Sequence, residues 1–93
     1  MSVYVDPIFR HGGSIGFRWE ESCHMYADTD AELHSMAAAI GMKRAWFQPR
    51  GGLPHYDLVP ARRRAAVKLG AVEHSRRELV EFMRERRLEK AVR

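Results

Sequence analysis

Residues with the chemistry of a binding or catalytic site are concentrated between positions 24 and 62 of the sequence. Histidine and carboxylate side chains together can ligate a divalent metal ion, or they can transfer protons near neutral pH. Aromatic side chains can stack on a base, and a guanidinium group can hold a phosphate. The candidate residues are His24, Asp28, His34, Trp46, Gln48, His55, Tyr56, Asp57 and Arg62. We expect folding to bring them into one cleft.

The predicted catalytic residues are His55, Asp57 and His34. His55 or His34 would transfer a proton, and Asp57 with Asp28 would orient the imidazole ring. The same groups could instead form a metal shell, for which the candidate ligands are His24, His34, His55 and Asp57. A divalent metal is the cofactor that these residues suggest, although the chain has neither a His-x-x-x-His nor a Cys-x-x-Cys spacing.

The predicted ligand-binding residues surround these groups. Trp46 and Gln48 would contact a base, and Arg62, in the first turn of a predicted helix, would hold a phosphate. The remaining members of this set are His24, Asp28 and Tyr56.

Structural roles compete with the predicted functional ones. His34 could be a surface histidine bonded to a neighbour, and Asp57 could cap the helix that follows it. Trp46 could pack in the core, because both faces of a helix-covered sheet can be buried. The sequence leaves these alternatives open.

Basic residues are concentrated in the second half of the chain. Residues 1–42 have a net charge of −4 and residues 43–93 a net charge of +8, for a total of +4. Such asymmetry predicts a surface that binds polyanions, and the alternative is a solvated face. The helix that contains Arg62 is the better candidate surface, because the terminal segment interleaves glutamates with arginines in a pattern typical of ion pairs within a helix.

Composition and the N-terminal residues predict a cytoplasmic protein that does not insert into a membrane. The single cysteine, Cys23, cannot form an internal disulfide, which favours a reducing compartment. The first residues lack the pattern of a signal peptide, and no apolar run approaches the roughly 20 residues that cross a bilayer. A chain of 93 residues has a thin stability margin, so a homodimer would be a natural supplement.

Local patterns predict strands that alternate with helices. Thr29 and Glu32 form a capping box at the start of a helix that ends near Gly41, and Ser75 and Glu78 form a second box at the start of the last helix. A middle helix begins near residue 60. Residues 49–54 are predicted to form a loop, and His55-Tyr56-Asp57 to lie in a loop just before this helix. Residues 10–16 read as a glycine-rich loop that matches no phosphate-binding motif, with a ribbon at 17–19. The predicted strands span residues 2–5, 22–27, 43–48 and 71–73.

Alternation of this kind predicts a single α/β domain over residues 1–93. Its sheet would be small, mixed and partly parallel, with about four strands and three helices. The chain beyond about residue 84 is nearly all charged, which predicts a charged helical extension.

Several short segments are distinctive in combination. They are Tyr4-Val5-Asp6, His24-Met25-Tyr26-Ala27-Asp28, Glu32-Leu33-His34, Trp46-Phe47-Gln48, Pro54-His55-Tyr56-Asp57-Leu58, Arg62 and Gly70-Ala71-Val72-Glu73. Over nearly the whole chain they resemble a bacterial and phage family catalogued as domain of unknown function 4031. The resemblance implies a site at these His, Asp, Trp and Gln positions, and it implies no activity.

The sequence therefore supports two main hypotheses and a third. The first is a small enzyme or ligand-binding domain that acts on a phosphate-bearing substrate, a nucleotide or nucleic acid, through a cleft rich in His and Asp. Whether it is an enzyme stays open, and an enzyme would be a hydrolase or phosphoester-type enzyme. The second is a non-catalytic module that binds nucleic acid or protein through the basic C-terminal half. The third is a homodimeric adaptor that uses the last helix.

Overall fold

The computed structural model describes residues 2–10, 21–49 and 52–92, so most of the predicted glycine-rich loop and the ribbon at 17–19 lie outside the described residues. Five strands and three α-helices confirm the predicted α/β class. The strands are β1 (Val3–Val5), β2 (Phe9–Arg10), β3 (Glu21–Ala27), β4 (Tyr56–Leu58) and β5 (Val72–Glu73). The helices are α1 (Asp30–Ala39), α2 (Pro60–Lys68) and α3 (Arg76–Val92), and a 3₁₀-helix covers Arg44–Trp46.

The longest strand, β3, is the centre of a mixed sheet. It pairs antiparallel with β1, β2 and β4, and β1 pairs parallel with β5. The register places Tyr4 opposite Tyr26 and His24 opposite Asp57. The predicted mixed, partly parallel sheet is confirmed.

The two faces of the sheet differ in chemistry. Because side chains alternate along a strand, Cys23, Met25 and Leu58 point to one face, where α1 and α2 cover them and form the core. His24 and Asp57 point to the opposite face, here called the polar face. Its other members are Tyr4, Asp6, Tyr26 and His55.

The third helix packs on the polar face through an aromatic side chain. The ring of Phe82 lies 5.3 Å from that of Tyr4 and 5.0 Å from that of Tyr26, between ring centroids. The helix continues without a break past residue 84 to Val92. Across the described ranges, every helix is too short or too polar to span a membrane.

Two predictions of local structure are wrong. Residues 43–48 are not a strand, because positions 43–46 are all exposed and lack the alternating burial that stabilises one; Arg44–Trp46 form a 3₁₀-helix. Tyr56–Leu58, predicted to lie in a loop, form β4, because burial of Tyr56 and Leu58 on either side of Asp57 fits a pleated strand beside β3.

The helix boundaries agree with the capping signals. The Thr29 hydroxyl accepts the backbone N–H of Glu32 at 3.2 Å and donates to its carboxylate at 2.8 Å. At α3, Ser75 and Glu78 each accept the backbone N–H of the other, at 2.8 and 3.1 Å. Gly41 and Gly70 follow α1 and α2 with φ of +80° and +108°, a conformation that glycine adopts without steric cost.

Removing the cap of α1 should destabilise the protein measurably. We expect Thr29→Ala to lower the free energy of unfolding by about 1 kcal/mol, because the Glu32 N–H loses its acceptor. Urea denaturation followed by circular dichroism measures this change. Ser35→Ala, at an exposed position within the same helix, is the matched control and should not destabilise. Equal losses in both variants would contradict the capping role.

Candidate metal centre

Three side chains with metal-binding atoms meet on the polar face. The β3–β4 register places His24 directly opposite Asp57. An antiparallel bridge between Gln48 and His55 extends this pairing, and His55, two residues before Asp57, points to the same face. One ligand atom from each of His24, His55 and Asp57 lies within 4.8 Å of the other two. We call these three residues the His–His–Asp cluster.

A buried carboxylate fixes the ring of His24. One oxygen of Asp6 accepts the backbone N–H of His24 at 2.6 Å, and the other lies 2.8 Å from its Nδ1. Asp6 is only 4% exposed. Because an ionised carboxylate only accepts hydrogen bonds, this contact places a hydrogen on Nδ1, and in the neutral ring Nε2 is then the nitrogen with the lone pair. This is the carboxylate–histidine pairing that orients imidazole ligands toward metals.

The other two members of the cluster are fixed in a similar way. His55 Nδ1 donates to the backbone carbonyl of Leu53 at 2.7 Å, which turns its Nε2 toward Asp57, 3.5 Å from Oδ1. The second carboxylate oxygen of Asp57 accepts the side-chain amide of Gln48 at 2.6 Å. Each candidate ligand therefore has a hydrogen-bond partner outside the cluster.

The charges of His55 and Asp57 reinforce each other. Burial lowers the pKa of His55, but its hydrogen bonds to Asp57 and to the Leu53 carbonyl outweigh burial, so the pKa is raised. The hydrogen bond from His55 lowers the pKa of Asp57 against the effect of burial, and Gln48 and His24 lower it further. Both shifts favour the ion pair between a protonated His55 and an ionised Asp57.

The spacing and exposure of the cluster suit a catalytic metal site. Two ligands about 2.0–2.2 Å from a tetrahedral ion lie roughly 3.4 Å apart, close to the 3.5 Å between His55 Nε2 and Asp57 Oδ1. The side chains of His24, His55 and Asp57 are 30, 17 and 33% exposed, so water can reach them. Three protein ligands with an accessible fourth position are typical of catalytic metal sites.

The structure does not bring His34 and Tyr56 into the cluster. Tyr56 alternates with Asp57 along β4 and points to the core face, where its hydroxyl lies 2.9 Å from His34 Nδ1. The ring of Phe47 packs edge-on against His34, with 4.6 Å between centroids. These contacts give His34 the structural environment of a hydrogen-bonded histidine on α1.

Asp28 and Arg62 also have structural partners away from the cluster. Asp28 accepts the backbone N–H of Ser2 at 2.7 Å and the hydroxyl of Tyr4 at 3.0 Å, which ties β1 to the end of β3. Arg62 donates to the carbonyl of Ile40 at 2.6 Å, where α1 ends. Arg62, the residue predicted to hold a phosphate, therefore has a hydrogen-bond partner at the end of α1.

Sequence reasoning missed Asp6 as a member of the site. The sequence patterns include it only in the segment Tyr4-Val5-Asp6, without a role in the site. A carboxylate directly after a buried strand was the available signal, since such positions lie at the sheet ends where sites form. Its pairing with His24 depends on the β1–β3 register, which no local pattern specifies.

The family described as Protein of unknown function (DUF4031) matches residues 3–86. No curated protein and no solved structure matches the chain. The matched range includes the whole His–His–Asp cluster together with Asp6 and Gln48.

Proposed function

The chain belongs to the DUF4031 family, and we propose that it is a metal-dependent hydrolase that acts on phosphate-bearing substrates. His24, His55 and Asp57 would hold one divalent ion. The observation that carries the proposal is the convergence of their ligand atoms within 4.8 Å. The outward-facing partners Asp6, Leu53 and Gln48 support it, because they hold the ligands in place before an ion binds.

The ligand set favours a transition metal over magnesium or calcium. Two imidazole nitrogens and one carboxylate oxygen suit zinc, iron or cobalt, whereas magnesium and calcium prefer sites built from oxygen. Two neutral imidazoles and one carboxylate leave a divalent ion with a net charge of +1. Such an ion attracts an anionic oxygen, and this supports a phosphate-bearing substrate.

The reaction that suits this site is hydrolysis of a phosphoester. A divalent ion held by His24, His55 and Asp57 would supply a water nucleophile whose pKa is lowered to about 7. The water oxygen would form a bond to phosphorus while the bond from phosphorus to the leaving oxygen breaks; the water would lose its proton to solvent and the leaving oxygen would take one from solvent. Asp6 and Gln48 act as positioning residues, since they contact His24 and Asp57.

Metal removal and return test the proposal. We expect chelator-stripped protein to bind one equivalent of Zn²⁺ or Co²⁺ by calorimetry, with Co²⁺ absorption bands of a four-coordinate site. Hydrolysis of a nitrophenyl phosphodiester should stop in EDTA and return with the metal. Mg²⁺ is the control ion and should bind far more weakly. Absence of metal binding would contradict the site, and binding without hydrolysis would contradict the activity alone.

The basic-module hypothesis has weaker support from the arginines of α2. Arg62 donates to Ile40, and Arg63 donates to the carbonyl of Asp6 at 2.9 Å and to Glu73 at 2.9 Å. Arg64 and Lys68 are exposed. Half of the basic side chains on this helix therefore hold the fold together.

Two other sequence predictions remain proposals. A reducing, cytoplasmic setting is supported by Cys23, which is buried as a free thiol. A homodimer through α3 is supported by the exposed apolar side chains of Val80 and Leu88 on that helix. Light scattering measures the oligomeric state directly.

A further inference from the structure

We infer that Trp46, Lys43 and Arg44 form a docking surface for single-stranded nucleic acid, next to the His–His–Asp cluster. These three residues are called the basic–aromatic patch. The inference deepens the proposed function by naming its substrate class, and it rests on that function for cleavage. Binding of the strand to the patch needs no metal, so the two can be tested separately.

The patch presents a large aromatic ring at the surface. Trp46 is 44% exposed at the end of the 3₁₀-helix, whereas the next residue, Phe47, packs against the core. Lys43 Nζ lies 5.6 Å from the centroid of the Trp46 ring, and the Arg62 guanidinium carbon lies 5.9 Å from it. An exposed aromatic ring with cations close to it is the combination that binds bases by stacking and phosphates by charge.

The surrounding chain is strongly basic. Residues 33–72 contain seven basic residues and a single acidic one, Asp57, which belongs to the His–His–Asp cluster. In the described part of the chain, no carboxylate pairs with Lys43 or Arg44. Lys43 and Arg44 lie instead over the rings of Trp46 and Phe47, and both side chains keep their positive charge. Such charges attract phosphate groups, whose neutralisation releases counterions and drives binding.

The patch is linked to the proposed metal centre through Gln48. Gln48 follows Trp46 by two residues, so their Cα atoms are at most about 7 Å apart. The Gln48 side chain holds Asp57 at 2.6 Å, and its backbone exchanges two hydrogen bonds with His55 at 2.9 and 3.0 Å. A strand with one base on Trp46 would lie close to Gln48, which contacts both Asp57 and His55.

Single-stranded nucleic acid fits the patch better than a duplex or an acidic protein. Bases in a duplex already stack on each other, whereas unpaired bases are free to stack on an exposed indole. The charge of the patch also differs from that of another surface feature, the groove beside α3. The groove of about 450 Å³ between α3 and the sheet is lined by carboxylates, which repel a phosphate backbone. They include Asp28, Glu78, Glu81, Glu85 and Glu89.

Anisotropy of a fluorescein-labelled, unstructured oligonucleotide in EDTA tests the inference. We expect Trp46→Ala to weaken binding roughly 5- to 100-fold and Trp46→Phe to restore most of the affinity, because a phenyl ring still stacks. We expect Lys43→Gln with Arg44→Gln to reduce the slope of log affinity against log salt by about 1.4, for two lost phosphate contacts. The matched control, Arg77→Gln with Arg87→Gln, removes two exposed charges from α3 and should change affinity little.

Several outcomes would overturn the inference. They are unchanged binding by Trp46→Ala in a variant with wild-type circular dichroism, an equal loss in the α3 control, or displacement of the oligonucleotide by an equal charge of polyglutamate. The last result would indicate an acidic protein as the partner. Binding in EDTA that depends on Trp46 supports the inference even where the metal titrations fail, and that failure would contradict only the proposed function.

Discussion

Alanine at His24 or at His55 is expected to abolish specific binding of Zn²⁺, with a loss of affinity well above 100-fold. Each substitution removes one of three candidate ligands. Loss of a partner behind a ligand typically costs roughly 10- to 100-fold in metal affinity, so loss of the ligand itself should cost more. Competition calorimetry against a chelator of known affinity measures the change in chelator-stripped protein.

The chain offers a matched control for this experiment. His34→Ala removes the same imidazole group, but from a position bonded to Tyr56 on the core face. We expect this variant to bind Zn²⁺ as the wild type does, although its thermal stability will fall because Tyr56 loses its partner. Comparable losses of Zn²⁺ affinity in all three variants would show that the His–His–Asp cluster is not the binding site.

The metal is expected to reverse the dependence of stability on pH. In metal-free protein the raised pKa of His55 gives stability that is lost as pH rises through that pKa. The lowered pKa of Asp57 gives stability that is lost as pH falls through it. Their pair should therefore stabilise the fold most between about pH 4 and pH 6.5, the ordinary values of the two groups.

Bound Zn²⁺ requires a deprotonated His55, so protons compete with the ion. The stabilisation of the fold by bound Zn²⁺ should grow as pH rises, by up to about 1.4 kcal/mol per pH unit for each displaced proton. It should reach about 2.7 kcal/mol when the free Zn²⁺ concentration is 100 times the dissociation constant. Urea denaturation from pH 4 to 8, with chelator or with Zn²⁺, measures both curves. His55→Gln is the control, since it should flatten the difference between them. Parallel curves in wild-type protein would contradict a metal at this site.

The helices could be predicted from the sequence because their signals are local. Thr29 and Ser75 each lie three residues before a glutamate that completes the cap, and Gly41 and Gly70 end the helices before them. Each signal depends on a few adjacent residues. The α/β class followed from the alternation of these helices with short apolar segments.

Two short strands, β1 and β5, lie where the sequence predicts them, whereas β4 could not be predicted. A strand of three residues such as β4 lacks enough positions for an alternating pattern to stand out, and Pro54 and Pro60 on either side resemble the flanks of a loop. Its stability comes from pairing with β3, more than 30 residues earlier in the sequence. Residues 43–48 have strand-like composition, but among the residues that the structure describes they pair with a neighbouring strand segment only at the Gln48–His55 bridge.

The candidate site was predicted in its composition and not in its geometry. His24, His55 and Asp57 were among the predicted residues, and His34 was placed with them because all lie near the same elements. The face of the sheet on which each histidine lies depends on strand register and on helix packing. The spacing of nearby residues determines neither of them. Asp6 became visible only when β1 was placed beside β3.

The cross-strand pairing of His24 with Asp57 has a mechanical consequence. A slip of β4 by one residue along β3 would turn Asp57 into the core and expose Tyr56 and Leu58. An ion bound to both strands would stabilise only the register in which His24 faces Asp57. Metal binding and correct strand pairing would then be thermodynamically coupled, and the amide protons of β4 would exchange more slowly when the ion is bound.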